Sequence, residues 1–347
     1  MTQKPIKAET LRAFASEAFR KVGVPEQDAA DLAEILVEAD LRGVDTHGMM
    51  LLQVYIQRIQ QGHIKAKPLI EQVNGAAGYA LVEGDRGMGH LVASRSMHIC
   101  IDKAKSTGIA MVGARNSCHF GAAAYYSMMA LRHDLIGFCT TNSPPLIAPF
   151  GGITPTFGNN PFAWAIPAGK EKPIVLDVAL SVAAMAKIFR ASQTGQKIPK
   201  EWGLDKQGRP TDDPKVAFES GLQPPIGGHK GYGLAVVMNV LAAVMTGSLS
   251  ASEVTQFKPA FGVGHFFLAI NPGVFMPIDE FKERMDKMVA MARSSQLAEG
   301  VEKIFLPGEP EHIQREKRLR EGVPVSDDVR RRLEAVRKDL NLSATLD

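Results

Sequence analysis

The chain has 347 residues, 45% of them hydrophobic, and its 40 basic and 37 acidic residues leave a net charge of +3. That length and apolar content exclude a disordered chain and allow more than one packed unit. The nearly cancelling charges exclude the broad basic field that nucleic acid needs.

Met1 to Thr10 is polar and carries no apolar stretch of the signal-peptide kind. Leu234 to Val244 is too short to span a bilayer and contains Asn239. Cys100, Cys118 and Cys139 lack metal-type spacing and read as reduced thiols. The expectation is a cytoplasmic globular protein with no membrane partner.

The first sixty residues read as three helices. Thr10 caps the first, which runs to Val22; Pro25 opens the second, which Gly43 closes; Asp45 or Thr46 caps the third, which runs to Gly62. His47 then falls in a helix first turn, where the helix dipole favours a neutral imidazole. From Tyr79 short apolar strands alternate with helices: Tyr79 to Val82, a helix to Lys105, Ile109 to Ala114, a helix to Leu131, and Leu135 to Thr140. This is an α/β core. Asn142 to Ala168 is dense in proline and glycine and reads as a turn-rich segment ending in a strand, Phe162 to Ile166. Ile174 to Val178 is a further strand, with Asp177 inside an apolar run. A loop from Thr194 to Asp213 follows, and Gly227 to Gly233 leads into an apolar helix from Leu234 to Thr246. The basic tail, Glu311 to Leu342, reads as amphipathic helices packed back on the body or on a dimer mate.

Two histidines stand beside glycines where an element gives way to a helix, in Asp45-Thr46-His47-Gly48 and in Asn116-Ser117-Cys118-His119-Phe120-Gly121. Imidazole exchanges protons near neutral pH, and a helix start offers unpaired N–H groups to an anion. His119 lies between a strand and the next helix, where open α/β sheets bind ligands. A buried acid such as Asp177 would orient His47 and stabilise its protonated form. The alternative for His47 is a satisfied capping or core histidine.

No G-x-G-x-x-G follows a strand, and Gly84, Gly87 and Gly89 carry the reversed spacing. Lys230 among the glycines from Gly227 to Gly233 suits either a phosphate or close helix packing. The nine histidines form no H-x-x-x-H or H-E-x-x-H pair, so no metal site is expected, and no G-x-S-x-G elbow occurs. Cys118 beside His119 reads as a small buried residue and not as a nucleophile.

Seven segments in order resemble the malate/L-lactate dehydrogenase family that lacks the Rossmann fold, a group that includes ureidoglycolate, sulfolactate and diketogulonate dehydrogenases and cyclic imine reductases. They are Asp40 to Gly48, Asn116 to Gly121, Thr141 to Pro144, Phe157 to Pro161, Leu176-Asp177, Gly227 to Gly233 and Leu306 to Glu309. The resemblance runs nearly end to end. It implies a homodimer with an atypical nicotinamide-binding α/β fold: a mixed central sheet in residues 76–276, and a helical domain built from residues 1–75 with 277–347. It implies hydride transfer between NAD or NADP and a small 2-oxo or 2-hydroxy acid, or alternatively a cyclic or N-alkyl imine. A noncatalytic ligand-binding homologue is the reading outside enzymes.

By the same resemblance, the cofactor contacts Asp177, Val178, Ala179, Leu180, Ser181, Val182 and Ala183, then His229, Lys230, Pro307, Gly308 and Glu309. Glu309 would accept hydrogen bonds from hydroxyl groups. His47 is the acid/base residue, assisted by Asp177; His119 holds that role in some branches and otherwise binds substrate or the nicotinamide amide. Tyr55 and Ser143 line the same pocket. Thr46 stands where the family usually has serine and keeps the hydroxyl. Leu51 stands where many members carry an arginine that grips the substrate carboxylate; either Arg42, Arg58 or Lys187 compensates, or the substrate lacks a carboxylate at that place. Leu51→Arg is accordingly expected to raise kcat/KM for simple 2-oxo acids in a steady-state assay; an unchanged or lower value contradicts this reading.

Overall fold

The computed structural model describes residues 5–251, 253–254 and 262–346. The chain opens with α1 (Ala8–Lys21) and α2 (Glu26–Leu41), passes through two single 3₁₀ turns at Asp45–His47 and Met49–Leu51, and enters α3 (Leu52–Gln60). Thr10 lies inside α1 and caps nothing. The start of that helix is fixed instead by Ile6, whose backbone pairs with Val323 at 2.9 and 2.7 Å. The third helix begins at Leu52 and not at Asp45 or Thr46, because the loop before it spends an N–H on a side chain: Met49 donates to Asp40 Oδ2 at 2.9 Å.

The next elements are β1 (Glu71–Ala76), β2 (Tyr79–Glu83), α4 (Gly89–Thr107), β3 (Ile109–Ser117), α5 (Ala123–Met129), β4 (Ile136–Thr141), β5 (Phe162–Ile166) and β6 (Ile174–Val178). They are followed by α6 (Met185–Thr194), a small hairpin of β7 (Gly203–Leu204) and β8 (Pro210–Thr211), α7 (Pro214–Ser220), and α8 (His229–Asn239), which continues as a π turn over Val240–Val244. β9 (Val263–Ile270), α9 (Ile278–Arg293), α10 (Glu309–Glu321) and α11 (Asp327–Leu340) complete the chain. Among the described residues no helix is long and apolar enough to cross a membrane.

Seven strands form one mixed sheet in the order β1-β2-β3-β9-β4-β5-β6. Only β2 and β3 pair in parallel; β9 lies antiparallel between β3 and β4. The sequence reading missed β1 and β9 for opposite reasons. β1 is exposed along its whole length and offers no apolar alternation, whereas β9 is an almost continuous buried run whose partners lie more than a hundred residues upstream.

One apolar core joins α1, α2 and α3 to α11 through Leu11, Phe14, Leu36, Leu52, Leu333 and Val336. A second lies between the sheet and α4 and α5, around Val82, Met97, Val112, Tyr126 and Phe267. α9 falls on the C-terminal side of the boundary expected at residue 277, yet it packs Met285 and Val289 against Ile174 and Ile166 of the sheet. The C-terminal helices nearest the N-terminal ones are α10 and α11. Arg315 binds Glu38 at 2.7 Å, and Arg318 reaches both the Asp40 carbonyl and the Asp45 carboxylate.

Phe267 is fully buried in the central strand. Phe267→Ala is expected to lower stability by about 3–5 kcal/mol in urea unfolding, and a loss below about 1 kcal/mol would show that β9 is not a core strand.

Candidate active site

His47 is carried by the loop between α2 and α3, and that loop is shaped from beneath. Asp40, in the last turn of α2, is buried and accepts the Met49 N–H. A Cβ at Gly48 would stand 2.1 Å from Asp40 Oδ1, so only glycine lets the loop lie on the carboxyl. Arg318 clamps the far side through Asp45. On top, Thr46 Oγ1 meets His47 Nδ1 at 2.9 Å. The His47 pKa is held below its ordinary value by burial. Loss of water is what favours the neutral form of His47, since the expected α-helix first turn is not formed.

His119 arrives from the sheet. Asn116 takes a left-handed φ of 51° at the end of β3 and turns the chain toward α5. Tyr55, buried in α3, places its hydroxyl 2.7 Å from His119 Nδ1. Burial lifts the Tyr55 pKa, so the hydroxyl keeps its proton; with that proton donated to Nδ1, His119 carries its own N–H at Nε2. The His47 and His119 rings stack with centroids 5.5 Å apart and planes inclined by 24°. Burial first, then the neighbouring His47 and His90, hold His119 well below the ordinary imidazole range. Two neutral imidazoles, one borne by the helical unit and one by the sheet, thus stand face to face.

Asp177 lies elsewhere. It sits on the edge strand β6 and accepts the Ala124 N–H at 2.9 Å, at the start of α5. The direct pairing with His47 expected from sequence is not made; His47 is partnered by Thr46. Protein crowding raises the Asp177 pKa to about 6, and the Ala124 N–H and the charge of Arg42 oppose that rise. The side chain nevertheless remains exposed, so solvent screening tempers the effect.

The expected cofactor segments at Asp177 to Ala183 and Pro307 to Glu309, and the residues just ahead of Gly227, come together around this edge strand. Val175 donates to the Pro307 carbonyl at 2.9 Å, Ile226 donates to the Leu180 carbonyl at 3.0 Å, and Ser181 forms a bridge with Pro225. Leu180 also donates to the Asn159 carbonyl at 2.8 Å, while Ser143 Oγ donates to Asn159 Oδ1 at 2.8 Å, which brings the proline- and glycine-rich segments alongside.

His229 and Lys230 are exposed in the first turn of α8, behind Gly227 and Gly228 with φ of 57° and 62°. Apart from Gly228 itself and its chain neighbours, no described atom outside the local helix backbone lies within 4 Å of where a Cβ at Gly228 would point, so a ligand can approach the backbone there. An exposed cation, open glycines and a helix start fit a dinucleotide's phosphates. Glu309 binds Arg293 and accepts the Leu306 N–H at 3.0 Å.

Of the candidate carboxylate partners, Leu51 packs on the helical core. Arg42 is buried near Glu38, Glu311 and Asp177, and Lys187 lies over the Trp202 ring. Arg58, one turn beyond Tyr55, is half-buried, and its charge reaches Tyr55, Cys118 and His119. Cys118 is buried with its pKa pushed up to about 12, unsuited to nucleophilic work. Sequence reasoning missed Asp40 as the support of the loop and His90 as a neighbour of Tyr55, although Gly48 and Gly89 marked both places.

A mixed α/β sheet, a stacked pair of histidines and a cationic, glycine-flanked helix start are parts that a nicotinamide-dependent dehydrogenase uses. Residues 6–334 match the family model described as malate/L-lactate dehydrogenase. The chain belongs to that family. It is 38% identical over 338 residues to the malate dehydrogenase of Pyrococcus horikoshii, covering 95% of this chain and 94% of the relative. The solved sulfolactate dehydrogenase of Methanocaldococcus jannaschii superposes with a TM-score of 0.91 at 37% identity, over 97% of this chain and 98% of the other. The malate dehydrogenase of Entamoeba histolytica gives a TM-score of 0.94 at 30% identity, with 98% of each chain covered. Relatives named as NAD(+)- and as NADP(+)-dependent dehydrogenases are 30% and 33% identical to it. The protein is an NAD(P)-dependent oxidoreductase of the 2-hydroxy acid dehydrogenase type.

Burial raises the Asp40 pKa to about 8, against the opposing Met49 N–H and Arg318. A carboxyl that holds its proton more tightly when folded stabilises the fold at low pH and loses that contribution as pH rises from about 3.8 to about 8. Asp40→Asn keeps an acceptor for Met49 and removes the titration. The Tm of the variant relative to wild type is therefore expected to climb between pH 5 and 8; parallel curves would contradict a buried, protonated Asp40.

Proposed function

We propose that this chain interconverts small 2-oxo acids and 2-hydroxy acids with NAD or NADP, using His47 as the acid/base group and His119 as a hydrogen-bond donor to the substrate oxygen. The observation that carries this reading is the stacked His47 and His119 pair with the Tyr55 hydroxyl 2.7 Å from His119 Nδ1; with Tyr55 donating there, Nε2–H is left for the substrate. When bound, the nicotinamide supplies or accepts the hydride. His47, neutral at pH 7, takes the hydroxyl proton of a 2-hydroxy acid; in reduction it must first be protonated, and it then gives that proton to the carbonyl oxygen. The Nε2–H of His119 stabilises charge developing on the same oxygen. Asp177 and Ser143 act at the β6 edge, with residues 178–183, His229, Lys230 and Pro307 to Glu309 around the cofactor. With Leu51 packed on the core, Arg58 supplies the charge for the substrate carboxylate.

A second copy completes the protein as a homodimer. This is supported by the exposed apolar stripe of Leu234, Val237, Val240, Val244 and Met245 along α8 and its π turn. A cytoplasmic setting suits the three buried, unpaired thiols.

Oxidation of NADH and NADPH, followed by absorbance over a panel of 2-oxo acids with and without methylamine, tests the proposal. Turnover is expected with a 2-oxo acid alone and is abolished in His47→Ala; turnover that needs the amine, or that survives the substitution, contradicts it. In the same assay Arg58→Gln should raise KM for the carboxylate substrate by about 10- to 100-fold, the loss of one charge-assisted contact. An unchanged KM would remove Arg58 from the site.

A further inference from the structure

Of the glycines at 84, 87 and 89, the last is packed against the segment that carries His119. A Cβ at Gly89 would lie 2.0 Å from the Cys118 carbonyl oxygen and 2.4 Å from that of His119, so the first residue of α4 is pressed onto the backbone that carries His119. The next residue, His90, is completely buried. Its ring meets Tyr55 edge-on at 5.1 Å and lies 6.4 Å from His119. Gly121 makes room for it, since a Cβ there would stand 2.7 Å from His90 Nε2. Neither ring nitrogen of His90 has a partner among the described residues. An unpaired polar ring is costly in a dry core, and a leucine or phenylalanine would fill the space without that cost.

We propose that His90 is a positioning residue for the reaction: its ring wedges Tyr55 against His119, and its uncharged polar edge fixes His119 as the tautomer with the proton on Nε2. The inference rests on the assignment of His119 to the substrate oxygen. Burial keeps His90 neutral across the working range, with its pKa lowered to about 3, so it adds no charge beside the two imidazoles that do the chemistry. Gly89 and Gly121 are required because the wedge works only at close approach. Rotation of Tyr55 by even a fraction of an ångström would loosen its bond to Nδ1 and let the proton of His119 redistribute.

The test uses full-length protein labelled with 15N-histidine. In the wild type, the His119 ring should show a protonated Nε2 and a bare Nδ1 at pH 7. In His90→Phe the two nitrogens should become mixed, kcat should fall by about 10- to 100-fold, and KM should stay close to wild type. His90→Gln, which keeps a polar edge, should recover part of both. If His90→Phe does not fold, Gly121→Ala, which pushes on the ring from the other side, should give the same mixing. A His119 tautomer and a kcat pH profile that stay unchanged while only Tm falls would overturn the proposal. The ring shifts are read without substrate, so a wild type with the expected tautomer but no dehydrogenase activity would instead overturn the proposed function.

Discussion

His47 stands where it does because a carboxyl has been taken out of water beneath it. Asp40 has one strong donor, the Met49 N–H, and it sits under a loop that comes this close only through Gly48. Removing such a group from solvent is unfavourable unless hydrogen bonds and neighbouring charge answer it. Arg318, reaching in from α10 to the Asp40 carbonyl and to Asp45, supplies that answer. α10 is thereby part of the support for a loop some 270 positions earlier. The loop cannot slide without breaking this set of contacts, and the Thr46 and His47 pair rides on it.

The second imidazole is fixed by independent means, from the sheet. β3 ends in a left-handed turn at Asn116, Tyr55 holds Nδ1, and Phe120 stacks on His265, which is itself buried and bonded at 2.8 Å to both Thr141 and Ser117. His265 is an example of the commoner fate of a histidine in a protein core, with both ring nitrogens satisfied and the group inert. His47 and His119 differ because each has one nitrogen against a hydroxyl, at 2.9 and 2.7 Å, and the two rings stack on one another. Preorganisation of this kind spares the reaction the cost of orienting its proton donors.

Much of this was legible in the chain. The alternation of short strands and helices from Tyr79 to Thr141, the two His-Gly motifs and the family resemblance all lie in local pattern, and local pattern is where hydrophobic period and turn chemistry speak. What was not legible depended on distant contacts. β9 reads as an apolar run until its neighbours, β3 and β4, are known. Asp177 asked for a partner, and the partner is a backbone N–H at the start of α5, which no side-chain pattern announces. The hold that Arg293 from α9 has on Glu309 likewise comes from a residue that is close only in the fold. The neutral state of His47 was expected for the wrong reason, since an α-helix start was read where the loop winds in 3₁₀ turns around Gly48.

The central claim is that a desolvated, neutral His47 is the group that exchanges the proton, and the pH dependence of kcat/KM for oxidation of the 2-hydroxy acid tests it most directly. With the His47 pKa held below the ordinary 6.5 by burial, activity should rise through a single ionisation below that value and stay level through neutral pH, and the ionisation should vanish in His47→Asn along with most of the rate. An ionisation at or above the ordinary imidazole value, or one that persists unchanged in His47→Asn, would show that another group carries the proton.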